Sequence, residues 1–255
     1  MVDSRKVKLT LAYDGTRYHG WQIQKNGLTV QEVLEGKLRI MTQEPVRVFG
    51  SGRTDAGVHA LGQVCHFETH SRLQPETLRK GLNSLLPGDI HVVQTENVHP
   101  GFHARYDARS KVYEYRILNR AEPDVFLRRY AWHLTRPLRL EALRQALSRV
   151  RGEHDFSSFR STGSGNRNPV RRVLRAELQE PECGLVHLVF EANGFLRHMV
   201  RNLVGTLVDV GTEKISAADF VEILNARDRR LAGAKAPAQG LFLVRVRYGE
   251  ADGSV

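Results

Sequence analysis

Apolar and polar residues alternate near the start of the chain, with a spacing of two that is typical of a half-buried strand. The apolar members are Val7, Leu9, Leu11 and Tyr13. Two later stretches, residues 30–41 and 75–86, instead repeat apolar positions every three or four residues, which predicts amphipathic helices. Short strand patterns separate these helices and follow them. The first part of the chain therefore predicts strands and helices in alternation.

The second part of the chain repeats this organisation loosely, without a repeated sequence. Strand patterns occupy residues 112–118, 171–180 and 185–192, and apolar helical faces mark residues 140–150 and 199–208. These patterns predict an α+β fold of two domains with mainly antiparallel sheets, in which helices cover one face. The predicted domains are residues 1–106 and 107–249, with a disordered tail at residues 250–255.

One stretch, Gly50–Ala60, fits neither a core strand nor a core helix. It holds three glycines together with Arg53, Asp55 and His59. Glycine permits backbone angles that other residues avoid, and it lets another group approach the main chain closely. We therefore expect a loop that holds one side chain in position, and Asp55 is the candidate.

The carboxylate of Asp55 leaves several chemical roles open. It can act as a nucleophile, as a base or as a metal ligand, or it can cap a turn through its own backbone. No other carboxylate lies within ten residues on either side, and Arg53 adds a positive charge nearby, so composition argues against a metal site. Catalyst and turn cap stay equally open on the residues alone.

Charge and cysteine content narrow the class of protein. The formal net charge is +10, and only 8 of the 38 cationic residues are lysine. An excess of arginine is typical of a nucleic-acid partner, because the guanidinium binds phosphate with a planar fork and stacks on bases. Cys65 and Cys183 both lie in strand-like runs without metal-ligand spacing, which predicts two packed thiols in a reducing cytoplasm.

Ordered motifs make the chain resemble the tRNA pseudouridine synthase A family. The match begins with Tyr13-Asp14-Gly15 and Tyr18–Gln22 and is most specific at Gly52–His59. Further motifs follow in order at Leu86–Ile90, Phe102–Arg105, Tyr113–Tyr115, His154–Phe156, His198–Asn202 and Gly240–Leu243. These motifs cover about 235 residues, which leaves little room for chance.

The resemblance implies an activity, a substrate and an assembly. The family isomerises uridine to pseudouridine at positions 38, 39 and 40 of the tRNA anticodon stem-loop. The reaction is an isomerisation without redox change, so neither a cofactor nor a metal is implied. The family also implies a homodimer in which one tRNA contacts both subunits, and two domains whose sheets meet around a basic active-site cleft.

The resemblance also implies roles for four residues. Asp55 is the catalytic aspartate and expected nucleophile, Tyr113 lies against the target base, and Arg201 pairs with the catalytic aspartate. Leu241 forms the floor of the uracil pocket. From its position in the loop, rather than from the resemblance, Arg53 is expected to bind phosphate or to fill the place of a flipped nucleotide, since extruding a base costs a few kcal/mol. Arg197, four residues before Arg201, is expected on the same helical face as a phosphate contact.

Two other functions are compatible with parts of the sequence. A non-catalytic RNA-binding module or chaperone on the same fold would use the charge and the aromatic residues, but it would not need Asp55, Tyr113 and Arg201 together. A hydrolase or metal-dependent nuclease would use Asp55 as a ligand. The chain contains no apolar run long enough to span a membrane and no apolar leader, so we expect a cytoplasmic protein.

Overall fold

The computed structural model describes residues 4–161, 163 and 168–249. Its five α-helices over these residues are α1 (Val30–Thr42), α2 (Pro75–Leu85), α3 (Leu140–Ser148), α4 (Met199–Gly211) and α5 (Ala217–Ala226). The strands are β1 (Arg5–Tyr13), β2 (Phe49–Gly50), β3 (His59–Thr69), β4 (Ile90–Val98), β5 (Ala108–Asn119), β6 (Trp132–Leu134), β7 (Gly152–Asp155), β8 (Val170–Gln179), β9 (Leu185–Ala192) and β10 (Leu241–Tyr248).

The Cα positions group into two compact units. The first unit comprises the chain up to Arg109 together with the chain from Leu243, and the second unit comprises Ser110–Phe242. The domain boundaries expected from the sequence, at residues 106 and 249, stay a prediction. The expected disordered tail at residues 250–255 lies outside the described residues, as does most of the polar loop at 161–169.

The first unit is built on a sheet with the order β4-β1-β3-β10, and β2 pairs with β3. β1 pairs antiparallel with both β3 and β4, so that Leu9 lies opposite Cys65 and Thr95. The alternating apolar residues of β1 are all buried, as their spacing predicted. α1 begins at its cap Thr29, whose side chain accepts a hydrogen bond from the backbone of Glu32.

The second unit contains strands in the order β5-β9-β8-β7, with β6 parallel to β5. β5, β9, β8 and β7 pair antiparallel, and Tyr113 lies opposite Phe190. α4 is buried around almost its whole circumference, while α5 begins with a reciprocal capping box between Ser216 and Asp219. A mixed α/β chain with mainly antiparallel pairing is thus confirmed.

Three details differ from the sequence-based expectations. β3 begins at His59, within the stretch that the glycines marked as a loop, and β7 has no counterpart among the predicted strands. Cys65 is a buried thiol on β3, as expected, but Cys183 is exposed in the turn between β8 and β9, where its φ is +58°. The expectation of two packed thiols was therefore wrong for Cys183.

Candidate active site

The segment between β2 and β3, residues 51–58, forms the Asp55 loop. Its first residues are held against β3, where the backbone N–H of Ser51 donates to the carbonyl oxygen of Val64 at 2.7 Å. The Ser51 hydroxyl donates to the side-chain oxygen of Gln63 at 2.8 Å, and the amide of Gln63 donates to the carbonyl of Gly52 at 3.1 Å. One buried glutamine thus fixes the entry to the loop.

Thr54, directly before Asp55, is held from two sides. Its hydroxyl shares a 2.8 Å hydrogen bond with the buried hydroxyl of Tyr13, and its carbonyl accepts from the backbone N–H of Trp21 at 3.1 Å. Burial raises the pKa of Tyr13, so this phenol stays protonated at any physiological pH. The backbone on the N-terminal side of Asp55 is therefore fixed by β1 and by the segment that follows it.

A turn fixes the backbone on the C-terminal side of Asp55. The N–H of Val58 donates to the carbonyl oxygen of Asp55 at 3.1 Å, and Gly57 has a φ of +77°, which is a conformation that favours glycine. Gly57 also donates its N–H to the carbonyl of Tyr18 at 3.3 Å. Asp55 itself is half-buried, whereas Arg53 is exposed.

Two glycines outside the loop allow this arrangement. A Cβ atom on Gly15 would lie 2.0 Å from the carbonyl oxygen of Val58, and one on Gly20 would lie 2.5 Å from that of Thr54. Gly20 also has a φ of +86°. Gly50 gives clearance to the indole of Trp21, since its Cβ would lie 2.5 Å from the ring nitrogen. The absence of a side chain at Gly50 therefore makes room for Trp21 of the protein itself.

The histidines that the motifs single out make structural hydrogen bonds. His59 is buried, and its Nδ1 lies 3.1 Å from both the backbone nitrogen of Gly15 and a carboxylate oxygen of Asp14. His154 contacts the carbonyl of Arg151 through Nε2 at 2.9 Å. Both side chains therefore contact the protein's own backbone.

The candidate residues of the second unit lie on three elements. Tyr113 lies on β5, is almost fully buried, and meets the ring of Phe195 edge-on at a centroid distance of 5.0 Å. Tyr115, two positions on, is completely buried, as expected for a core residue. Its hydroxyl donates to the carbonyl of Pro237 at 2.8 Å.

Arg201 on α4 is nine-tenths buried and holds the segment that leads to Leu241. Its Nε donates to the carbonyl of Ala236 at 2.8 Å, and the backbone N–H of Ala236 donates to the carbonyl of Arg201 at 3.0 Å. Gly240 then packs directly against Tyr115, since a Cβ added to this glycine would lie only 2.7 Å from that ring. Arg201 and Leu241 therefore belong to one connected structure.

The position of Arg197 differs from its prediction. α4 begins at Met199 after His198, whose φ of +61° is left-handed, so Arg197 lies before the helix rather than on a helical face with Arg201. Arg197 is exposed, while Arg201 is buried. A spacing of four residues places two side chains on one face only when both residues are helical.

The structure thus places Arg53 and Asp55 in the first unit, and Tyr113, Arg201 and Leu241 in the second. A rigid loop carrying a half-buried carboxylate can present a nucleophile or a base to a substrate. Over the residues that the structure describes, no three or more histidine, cysteine, aspartate or glutamate side chains form a group suited to a metal ion.

Comparison with known proteins shows to which class of protein the chain belongs. The sequence profile of a family described as tRNA pseudouridine synthase matches residues 10–107 and 146–249. The chain belongs to the tRNA pseudouridine synthase family. Membership confirms the family that the ordered motifs indicated, and it makes the protein an isomerase that acts on uridine in tRNA.

Curated relatives of the family match over almost the whole chain. The tRNA pseudouridine synthase A of Thermoanaerobacter sp. (strain X514) is 46% identical over 244 residues, which cover 96% of this chain and 100% of the relative. The protein of the same name from an Exiguobacterium species is 46% identical over 248 residues, with 97% and 100% covered. The tRNA pseudouridine synthase A 1 of Protochlamydia amoebophila is 44% identical over 250 residues, with 96% and 97% covered.

Among solved structures, Thermus thermophilus Cse3 bound to an RNA representing a pre-cleavage complex matches with a TM-score of 0.22 and 12% identity, over 81% of this chain and 97% of that chain. A likeness of that size carries no argument about fold or function.

Three residues that position the family's Asp55 loop escaped the sequence analysis. Tyr13, Gly20 and Gln63 contact Thr54, Ser51 or Gly52 directly. Tyr13 ends the regular strand pattern of β1, whereas Gly20 lies in residues 17–24, whose mixture of aromatic and polar residues fits neither a strand nor a helix period. This irregular pattern was the available indication of a positioning role, since a segment without a regular period has its conformation set by other parts of the chain.

Proposed function

We propose that the protein isomerises uridine to pseudouridine at positions 38, 39 and 40 of the tRNA anticodon stem-loop. The observation that carries the proposal is the Asp55 loop, in which hydrogen bonds from β1, from β3 and from the segment after β1 hold the backbone on both sides of one half-buried carboxylate. Near-complete alignment with relatives named tRNA pseudouridine synthase A supports tRNA as the substrate class.

In this reaction Asp55 is the nucleophile. The glycosidic bond between C1′ of the ribose and N1 of uracil breaks, the base turns, and a bond from C1′ to C5 forms. C5 loses its proton and N1 gains one, so the product is an isomer of the substrate. Oxidation states balance without a co-reactant, and a cofactor or metal is not part of the proposal.

The other four residues bind the uridine. We assign Tyr113 to stacking against the target base, Arg201 to pairing with the Asp55 carboxylate, and Leu241 to the floor of the uracil pocket. The burial of Tyr113 and the anchored segment between Arg201 and Leu241 support fixed positions for these groups. Arg53, exposed next to Thr54, suits contact with a phosphate or with the space that a flipped nucleotide leaves.

The proposal extends to the assembly. We propose that the active enzyme is a cytoplasmic homodimer in which one tRNA contacts both subunits, and that residues of both units of a subunit act on the same uridine at a basic cleft. The family resemblance supports these points. No helix within the described ranges combines the length and apolar character needed to cross a membrane.

Replacing Asp55 tests the proposed function. With tRNA tritiated at C5 of uridine, wild-type protein should release tritium, because C5 loses its hydrogen in each turnover. Asp55→Asn and Asp55→Ala should abolish release while still binding tRNA, since neither change removes a cation. Turnover by either variant within about tenfold of wild type, equal to roughly 1.4 kcal/mol of barrier, would contradict a catalytic Asp55.

Controls separate the two alternative functions. A non-catalytic RNA-binding module would bind tRNA without releasing tritium in any variant. A metal-dependent nuclease would shorten the tRNA and would stop in EDTA, whereas the isomerase should leave the tRNA intact and should be indifferent to EDTA. Mapping pseudouridine in tRNA from cells with and without the protein then tests positions 38, 39 and 40.

A further inference from the structure

Four aromatic rings outside the Asp55 loop form a continuous cluster in the first unit. The ring cluster consists of Phe49, His66, His103 and Tyr106. Phe49 stacks on His66 with 5.3 Å between centroids and 19° between planes. His66 and His103 are 4.8 Å apart, and His103 and Tyr106 are 4.2 Å apart with 32° between planes.

The outer rings of the cluster face solvent. Tyr106 is 75% exposed and Phe49 is 40% exposed, whereas the His66 ring beneath Phe49 is buried. Burial lowers the pKa of His66 to about 4, so this ring is uncharged at neutral pH. Single exposed aromatic side chains are common on protein surfaces. Four rings in mutual contact, with the outermost two presented to solvent, are a more specific feature.

The turn that carries His103 and Tyr106 is rigid. The backbone N–H of Ala104 donates to Nδ1 of His66 at 3.1 Å, and the hydroxyl of Tyr248 donates to the carbonyl of Ala104 at 2.6 Å. His103 and Asp107 close the turn, because the His103 N–H donates to the Asp107 carboxylate at 2.8 Å and the Asp107 N–H donates to the His103 carbonyl at 3.1 Å. The backbone that carries the exposed Tyr106 ring is therefore held in place by these hydrogen bonds.

Two guanidinium groups flank the ring cluster. Arg47 lies 5.2 Å from the centroid of Phe49, and Arg105 lies 5.9 Å from that of Tyr106. Both arginines are exposed, and within the described part of the chain neither has a carboxylate within 4.0 Å. The acidic residue of the turn, Asp107, accepts the backbone hydrogen bond from His103. The edges of the aromatic surface are thus positively charged.

We propose that the ring cluster is a stacking platform for an unpaired nucleotide of the tRNA substrate, with Tyr106 as the ring that meets the base and Arg47 and Arg105 as contacts to the phosphates beside it. This inference rests on the proposed tRNA activity and adds a binding site distinct in sequence from Asp55, Arg53 and the uridine-binding residues.

The chemistry of the surface favours a nucleotide over a protein partner. Proteins that bind unpaired nucleic acid combine aromatic faces, on which bases stack, with cations that follow the backbone. A fixed ring loses little conformational freedom on binding, and a guanidinium beside it supplies charge to an adjacent phosphate. The formal net charge of +10 is in keeping with a polyanion at this surface.

Substitution of Tyr106 tests the platform. Tyr106→Leu keeps an apolar side chain but removes the ring, so the dissociation constant of tRNA should rise about tenfold, within the range for loss of one stacked base. Tyr106→Trp should stay within about twofold of wild type. Turnover at saturating tRNA should be unchanged in both variants, because Tyr106 does not touch the reacting uridine in the proposal. Phe126→Leu is the matched control, since Phe126 is 84% exposed in the second unit.

A set of tRNAs with single abasic positions identifies the nucleotide. One abasic tRNA should bind wild type about tenfold more weakly and should bind Tyr106→Leu with no further loss, since the two changes remove the same contact. If the loss of affinity from Tyr106→Leu and the loss from an abasic nucleotide add fully at every unpaired position, the stacking proposal is overturned. Wild-type affinity in Tyr106→Leu, or an equal loss of affinity in Phe126→Leu, would also overturn it.

Two further outcomes are distinct. If wild type forms pseudouridine and Tyr106→Leu binds tRNA normally, the platform is wrong and the proposed function stands. If wild type forms no pseudouridine, the proposed function itself fails. Sedimentation of Tyr106→Leu should match wild type, and a change of oligomeric state would instead assign the ring cluster to an interface between copies of this chain.

Discussion

At the scale of single residues, the position of Asp55 depends on atoms that other residues lack. Gly15 and Gly20 have no Cβ, and the carbonyl oxygens of Val58 and Thr54 lie within 2.5 Å of where those carbons would be. Real Cβ atoms are not found so close to a backbone oxygen. Both glycines therefore act on the Asp55 loop through backbone packing alone.

Gly20→Ala should lower both stability and turnover. Its positive φ and the close carbonyl of Thr54 make an added methyl strained, so we expect a loss of about 1–3 kcal/mol in the free energy of unfolding. The rate of tritium release should fall further than the affinity for tRNA, because the displaced backbone carries Asp55.

Gly36→Ala is the matched control for this substitution. Gly36 lies in α1 with open space around its Cβ position, and alanine favours a helix by about 1 kcal/mol over glycine. Denaturant unfolding should show opposite signs for the two variants. Equal stability of Gly20→Ala and wild type would mean that the Thr54 carbonyl moves freely.

His66 gives the first unit a defined pH dependence. Its pKa is lowered from 6.5 to about 4, chiefly by burial and also by His103 and Lys6, while Glu68 and Asp107 oppose the shift. Between pH 6.5 and about 4, the His66 side chain binds a proton in the unfolded chain but stays neutral in the folded protein. Folding stability from this group is therefore complete above pH 6.5 and falls as the pH drops towards 4.

His66→Asn should flatten this part of the pH profile. Asparagine can still accept the hydrogen bond from Ala104, but it does not titrate. The free energy of unfolding of wild type should decrease between pH 6.5 and 4 by more than that of the variant. Parallel profiles would show that His66 is protonated in the folded protein over this range.

The sequence predicted single residues well where their role depends on composition or motif. The loop around Asp55 was evident from its glycines. The exposure of Cys183 and the non-helical position of Arg197 were missed because each follows from one left-handed residue, Cys183 itself and His198. Residue type predicts such conformations poorly outside glycine and asparagine.

At the scale of elements, α4 organises the second unit through the segment that leads to Leu241. A Cβ on Gly205 would lie 1.7 Å from the carbonyl oxygen of Ala234, so helix and segment touch backbone to backbone. The Gly233 N–H donates to the Thr206 hydroxyl at 3.0 Å, and Arg201 holds Ala236 by two hydrogen bonds. One helix thus fixes three positions of the segment, Gly233, Ala234 and Ala236.

Gly205→Ala should displace this segment from α4. Overpacking against a backbone oxygen should cost about 1–3 kcal/mol or more in unfolding free energy, and it should reduce turnover through Arg201 and Leu241. Gly211→Ala on the same helix is the control, since its Cβ would meet only side chains, those of Leu138 and Leu143, at about 3.0 Å. Chemical denaturation and tritium release measure both effects. Equal losses in the two variants would remove the argument for a backbone contact.

Elements were predictable where apolar spacing is regular. β1 and α1 follow their periods closely. β7 was missed because Gly152–Asp155 contains no apolar residue, so its strand conformation depends on pairing with β8. The rigid turn at residues 102–107 could not be predicted from apolar spacing, since hydrogen bonds that hold it come from His66 and Tyr248, far along the chain.

At the scale of the whole molecule, charge is the dominant feature, with a formal net charge of +10. Binding of tRNA by such a protein releases the counterions that surround the phosphates, so affinity depends on salt. Arginine supplies most of the positive charge, which adds stacking on bases to attraction for phosphates.

The affinity for tRNA should therefore fall steeply with salt. Between 50 and 200 mM salt the dissociation constant should rise by at least about tenfold, with a linear relation between the logarithms of the two quantities. Filter binding with Asp55→Asn measures affinity without turnover, and unfolding in the same buffers should show little change. A dissociation constant independent of salt would contradict phosphate contacts as the main source of affinity.

The first unit contains residues from widely separated parts of the chain, and this has a consequence for synthesis on the ribosome. The second unit, Ser110–Phe242, is continuous and has all its residues before β10 is finished. The first unit lacks the β10 carbonyl of Val244 that packs on Gly62, and the Tyr248 hydroxyl that holds Ala104, until those late residues emerge. Although made first, the unit that carries Asp55 should therefore complete its folding last, so the Asp55 loop should reach its final rigidity only when translation has passed Tyr248.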